Sequence, residues 1–177
     1  MHLYQNHYFS VVQPDFILCG NVATSSVLPT PKKICLYLRT PGVNNSSVIS
    51  SLCALKIITG ERPHVVPEKL KIKRHKKGKI CAVGCKVTLR GLQFYNFLFK
   101  LLFNVLPRIR QFEGLKLPSH QSVYCFVLKD IFAFEELIPL FPYFETVNCF
   151  KCQVFFGTNS KEDMLFLGNS LQLCFIP

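Results

Sequence analysis

The chain is 177 residues long, 49% of them apolar, and carries a formal net charge of +11 at pH 7. That is one domain's worth of sequence, large enough to bury its apolar surface without disulfides. The charge is uneven: from Lys69 to Lys116 thirteen Lys and Arg face the single acid Glu113, and the rest of the chain is close to neutral. A basic patch on a near-neutral body points to a polyanionic partner.

In chain order, residues 1–30 mix apolar runs with Pro14, Gly20 and Pro29, which fits a short helix and turns but no nameable motif. No Lys or Arg precedes Lys32, so neither a secretory signal nor an Arg-rich import presequence is expected. Lys32 to Arg39 alternates as a strand entered at Pro31 and left at Pro41-Gly42. Asn44, Asn45 or Ser46 caps a helix whose apolar stripe is Val48, Ile49, Leu52, Leu55 and Ile58, with Gly60 as its stop. Arg62 to Val66 predicts a short strand. Pro67 to Lys79 then forms a loop so cationic that it stays extended or mobile until an anion neutralises it.

Ile80 to Arg90 is the most informative strand. Cys85, Val87 and Leu89 alternate with Lys86, Thr88 and Arg90, giving one apolar face and one cationic, hydroxylated face suited to phosphate. From Leu92 to Leu106, Phe94, Tyr95, Phe97, Leu98, Leu101, Leu102 and Val105 recur at helical spacing until Pro107 stops the helix. Arg108 and Arg110 follow, where cations suit the negative end of a helix dipole and remain open to a polyanion. Later elements are a strand from Val123 to Lys129, a helical turn from Phe134 to Leu137, and a long buried strand from Val147 to Phe156. A helix from Lys161 to Leu167, opened by Asn159 or Ser160, and a strand from Leu171 to Ile176 complete the chain. This order, with no dinucleotide fingerprint, predicts an α+β fold: a single domain with a mainly antiparallel sheet packed against helices.

Catalysis finds no support. The ten acids join no motif with His64, His75 or His120, and the nine cysteines are scattered through apolar runs as small buried hydrophobes of a reducing compartment. Cys149 and Cys152, three apart on a strand, point to opposite faces and so make no zinc knuckle. The expectation is a binding protein without cofactor or metal. No apolar run is long enough to span a membrane. Seventeen Phe and nine Cys, with no Trp and few acids, look like the product of a U-rich coding template, which favours an organelle-encoded, mitochondrial protein.

Three separated blocks agree in order and spacing with one family. Ile58-Thr59-Gly60-Glu61-Arg62-Pro63, Val83 to Gly91, and Leu106-Pro107-Arg108-Ile109-Arg110 with Phe112 and Gly114-Leu115 resemble the large-subunit ribosomal protein five family. The resemblance implies a variable segment over residues 1–31 and a ribosomal domain over 32–177, placed in the central protuberance among neighbouring proteins of that region. It implies rRNA contacts through Lys32, Lys33, Arg62, Lys86, Thr88, Arg90, Arg108 and Arg110. A loop over residues 67–83 would reach P-site tRNA with Lys71, Lys73, Arg74, His75, Lys76, Lys77 and Lys79, and other surfaces would bridge to a small-subunit head protein.

The family's contact with 5S rRNA is only partly matched. Thr88 agrees, but Tyr37 stands where the family has Asn, and Glu61 replaces a Gln, turning a donor and acceptor into an anion that repels phosphate. A Gly-rich loop expected after Leu115 is replaced by Pro118-Ser119-His120-Gln121-Ser122. The resemblance therefore implies an altered or absent 5S rRNA contact. A free RNA chaperone or a membrane-surface protein is the competing class for the same basic patch.

Overall fold

The computed structural model describes residues 3–20, 28–40, 45–70, 79–110, 112–118, 120, 122–158 and 160–176. The chain opens with α1 (Leu3–His7), a π-helical turn (Tyr8–Val12) and α2 (Gln13–Gly20), followed by β1 (Pro31–Arg39), α3 (Asn45–Thr59), β2 (His64–Leu70) and β3 (Lys79–Leu89). Next come α4 (Leu92–Lys100), a second π turn (Leu101–Val105), a 3-10 turn (Leu106–Arg108), β4 (Leu115–Lys116) and β5 (Val123–Leu128). Two further 3-10 turns (Ile131–Ala133 and Glu135–Leu140) lead into α5 (Phe141–Phe144), β6 (Asn148–Phe156), α6 (Lys161–Ser170) and β7 (Phe175–Ile176). Five strands make one antiparallel sheet in the order β2-β3-β1-β6-β5, and β4 pairs with β7 in a small parallel ladder. The expected α+β class is what the structure shows.

Contacts divide the chain into two compact units. The first comprises residues 1–34, 89–126 and 153–177. Its N-terminal part is a longer helical run than the short helix expected, and it buries Tyr4, Tyr8, Val12 and Phe16. A stripe spaced by four drifts about 40° per step around a 3.6-residue helix. The wider π turn between Tyr8 and Val12 takes that drift back and keeps the stripe on one side. Tyr4 packs edge-on against Phe99 and Phe103, Tyr8 lies beside Tyr95, and Phe16 meets Phe166. The Tyr4 hydroxyl donates to the Leu171 carbonyl at 2.7 Å, and that of Tyr8 to Pro29 at 2.9 Å, so both buried phenols are satisfied.

The uninterrupted helix expected over Leu92–Leu106 is instead nine residues of α-helix, a π turn and a 3-10 turn that Pro107 opens. The same reasoning holds: Leu101 and Val105, four apart, are both buried because the π turn realigns them. Ser160 caps α6 in a reciprocal box, its hydroxyl accepting from the Asp163 N–H while the Asp163 carboxylate accepts from the Ser160 N–H. The last strand is shorter than expected. Gln172 takes φ 61°, which breaks an extended run from Leu171 and leaves only Phe175–Ile176 paired.

The second unit comprises residues 35–88 and 127–152. In it the stripe of α3 is rotated from the expected one: Ser47, Val48, Ser51, Ala54, Leu55 and Ile58 are buried, while Ile49 is 59% exposed. Small residues on the inner side let the helix approach closely, and the Ser51 hydroxyl donates to the Ser47 carbonyl at 2.9 Å. The helix begins at Asn45, so its capping position, residue 44, lies outside the described residues. Phe134 and Phe150, both fully buried with ring centroids 5.1 Å apart, anchor the 3-10 turns to β6. Helical structure there is more extensive than the single turn expected over Phe134–Leu137.

Candidate nucleic-acid interface

The alternation of β3 holds in three dimensions. Cys85, Val87 and Leu89 are buried, Lys86 is half-buried, and Thr88 and Arg90 are exposed. On neighbouring β1, Leu36 and Leu38 are buried while Tyr37 is half-buried and Arg39 is exposed. The Lys86 ammonium lies 5.2 Å from the centroid of the Tyr37 ring, within the range of a cation–π contact. Hydrogen bonding to the Tyr37 side chain pushes the Lys86 pKa above its ordinary 10.5, overcoming an opposing effect of burial. The charge of Lys86 is therefore held in place and permanent at neutral pH. Thr88 Oγ1 sits 3.6 Å from Cys35 Sγ, and His64 of β2 is the register partner of Lys86.

Beside Tyr37 lies a cleft of about 260 Å³ lined by Tyr37, Leu38, Arg39, Val66, Pro67, Gly84 and Cys85. Two backbone irregularities occur in its lining. A Cβ on Gly84 would run into the Leu38 carbonyl oxygen, so only glycine allows β1 and β3 to approach there. The β2–β3 register also slips between Val66, opposite Gly84, and Pro67, opposite Ala82. Pro67 has no N–H for the ladder, and a bulge is where a strand tolerates it.

That pairing corrects the extent of the basic loop. Strand β2 continues through Leu70 instead of ending at Val66, and Leu70 pairs with Lys79, so residues 67–70 and 79–83 are strand, held by backbone hydrogen bonds. Lys71, Lys73, Arg74, His75, Lys76 and Lys77 lie outside the described residues, between the two paired ends. Lys79 opens β3.

Of the other cations singled out, Arg62 is exposed in the turn after α3. Gly60 takes φ 73° there, and the Glu61 N–H donates to Thr59 Oγ1 at 3.3 Å. In the first unit, Lys33 lies 4.6 Å over the ring of Phe155, and Lys32 is exposed. Arg90 is exposed just before Gly91, which takes φ 55° at the start of α4; Arg108 ends the 3-10 turn and Arg110 lies two residues beyond it, both exposed. Sequence reasoning missed Arg39, Lys151 and Phe155. The signal was present: Lys33, Tyr37 and Arg39 share one parity on β1, and Lys151, Gln153 and Phe155 share one on β6, opposite buried Phe150, Cys152 and Val154. Cys149 is exposed and Cys152 buried, as their spacing required, and among the described residues no group of His, Cys, Asp and Glu is placed to hold a metal. No helix among them is long and apolar enough to cross a membrane.

Strands whose buried apolar positions alternate with more exposed cationic and aromatic ones, interleaved with helices, define an α+β protein with a basic surface suited to a polyanion. The comparisons with known proteins give the particular family. A family model describing the C-terminus of the ribosomal L5 family matches residues 82–172. The chain is 35% identical over 136 residues to large ribosomal subunit protein uL5 of Pseudothermotoga lettingae, covering 75% of this chain and 74% of that one. It is 30% identical over 141 residues to uL5m of Reclinomonas americana, covering 77% and 78%. Against uL5 of Mycoplasma pneumoniae it is 30% identical over 173 residues, covering 94% of each. The chain belongs to the large ribosomal subunit protein uL5 family, whose members are structural components and not enzymes.

Proposed function

We propose that this protein binds rRNA in the large ribosomal subunit through the open side of β3 and β1. In the same reading it touches P-site tRNA with the tip of the β2–β3 hairpin and meets the small-subunit head through a separate protein-facing surface. The observation that carries the rRNA contact is the fixed Lys86 ammonium on Tyr37 with Thr88 exposed two residues on: a phosphate-gripping cation beside a hydroxyl able to recognise a 2′-hydroxyl. The hairpin suits tRNA because the residues that join its two paired strands are strongly cationic in sequence.

The head contact fits the stretch 130–145, where Asp130, Glu135, Glu136 and Glu145 occur without a Lys or Arg. Ile138, Phe141 and Tyr143 are exposed among them, and Tyr143 is 71% accessible. An acidic, aromatic surface repels RNA and suits a basic protein. Tyr37 and Glu61 in place of amides support an altered 5S rRNA contact. A mitochondrial location rests on the Phe- and Cys-rich composition and on the uL5m relative; bacterial uL5 chains match equally well.

Two measurements test this reading. The tagged protein should cosediment with large subunits. Replacing Lys71, Lys73, Arg74, Lys76, Lys77 and Lys79 by Ser should weaken tRNA engagement more than subunit incorporation, whereas equal loss of both would contradict separate roles for hairpin and strand face.

A further inference from the structure

The cleft beside Tyr37 is smaller than the roughly 300–1,000 Å³ of drug-sized ligand sites, and its lining includes Gly84, where the strands approach closely, and Pro67, where the register slips. Tyr37 and the apolar Leu38, Val66 and Pro67 are among the residues that line it. Arg39 lines it, Lys86 lies against the same tyrosine, and no acid contributes to it. A largely apolar lining that includes an aromatic residue suits a heteroaromatic ring, and cations beside it suit the phosphates on either side. A base inside a duplex is stacked on its neighbours and cannot enter, so the cleft selects a base outside a helix.

Resting on the reading that this face binds RNA, we propose that the cleft receives one unpaired nucleobase, stacked on Tyr37, with Arg39 and Lys86 holding the flanking phosphates. The strand face then grips RNA backbone through charge, and the cleft fixes the register of the protein along it. Tyrosine at position 37 provides a stacking surface that a shorter amide could not.

The test uses the full chain and three hairpin RNAs of one sequence: one with a single bulged 2-aminopurine, one with an abasic bulge, and one fully paired. The bulged-base hairpin should bind on the order of tenfold tighter than the other two, and 2-aminopurine fluorescence should fall on binding. Tyr37→Leu also releases Lys86 and should lower the affinity for all three hairpins, but it should in addition remove the preference for the bulged base and the fluorescence change, whereas Tyr37→Phe should keep both. Equal binding of all three hairpins would overturn the cleft as a base site while leaving phosphate binding intact. A Tyr37→Leu protein that still prefers the bulged base over the abasic bulge would also overturn it. Failure to bind any hairpin would overturn the RNA-binding reading beneath it.

Discussion

Lys86 shows how one side chain joins fold to function. Its strand neighbours Cys85 and Val87 are buried, which forces it to the open side, and Tyr37 on the adjacent strand fixes where its charge sits. If that ammonium meets a phosphate, Lys86→Ala should lower the slope of log affinity against log salt by about one, and Lys86→Arg should leave the slope unchanged. Filter binding across a salt series reads this directly. Buried protons give a second prediction at this scale. Burial raises Cys85 from 9.0 to about 11, and raises Tyr4 and Tyr95 from 10.0 to about 12, the two tyrosines with smaller additional effects of Cys174 and Tyr8 respectively. In those intervals the unfolded chain holds fewer protons than the native one, so stability falls as pH rises from about 9 to about 12. Tyr4→Phe should flatten the upper part of that decline. At neutral pH it should cost about 0.5–1.5 kcal/mol by urea unfolding, because the Leu171 carbonyl loses its donor. The parity of Lys86, Thr88 and Arg90 was readable from sequence because a strand's period is two. The partnership of Lys86 with Tyr37 was not, since it depends on the register between two strands far apart in the chain.

Among the elements, α6 was the most legible: Ser160 followed three residues later by Asp163 is a local signal that needs no tertiary context. Ser160→Ala should cost about 1 kcal/mol in chemical denaturation, with circular dichroism showing the loss as lower stability and not as a different fold. Helix α3 was located but misoriented. An apolar stripe drawn through Ile49 ignored Ser47, Ser51 and Ala54, whose small size lets them take the buried side while Ile49 faces out. The π turns after α1 and α4 were invisible because an i, i+4 apolar spacing is compatible with a plain helix over a few turns. The limits of the basic loop were wrong for a related reason: Pro67 reads as a breaker, yet at a bulge it is carried inside a strand that runs on to Leu70. Arg39 and Phe155 were missed because each looks ordinary until its strand's parity is known.

Across the chain, charge sign divides the work. Cations gather on β3 and the residues flanking it, and acids with exposed aromatics gather over 130–145, the segregation on which the proposed RNA and protein contacts rest. Family membership and α+β class were both legible, because three motif blocks and the alternation of the strands do not depend on detailed packing. The most direct test of the central claim is a cryo-electron microscopy map of the intact large subunit containing this protein. The account predicts Lys86, Thr88 and Arg90 against rRNA, with density for a single unstacked base beside Tyr37; Lys86 and Arg90 facing solvent, with no nucleic acid near β3, would contradict it.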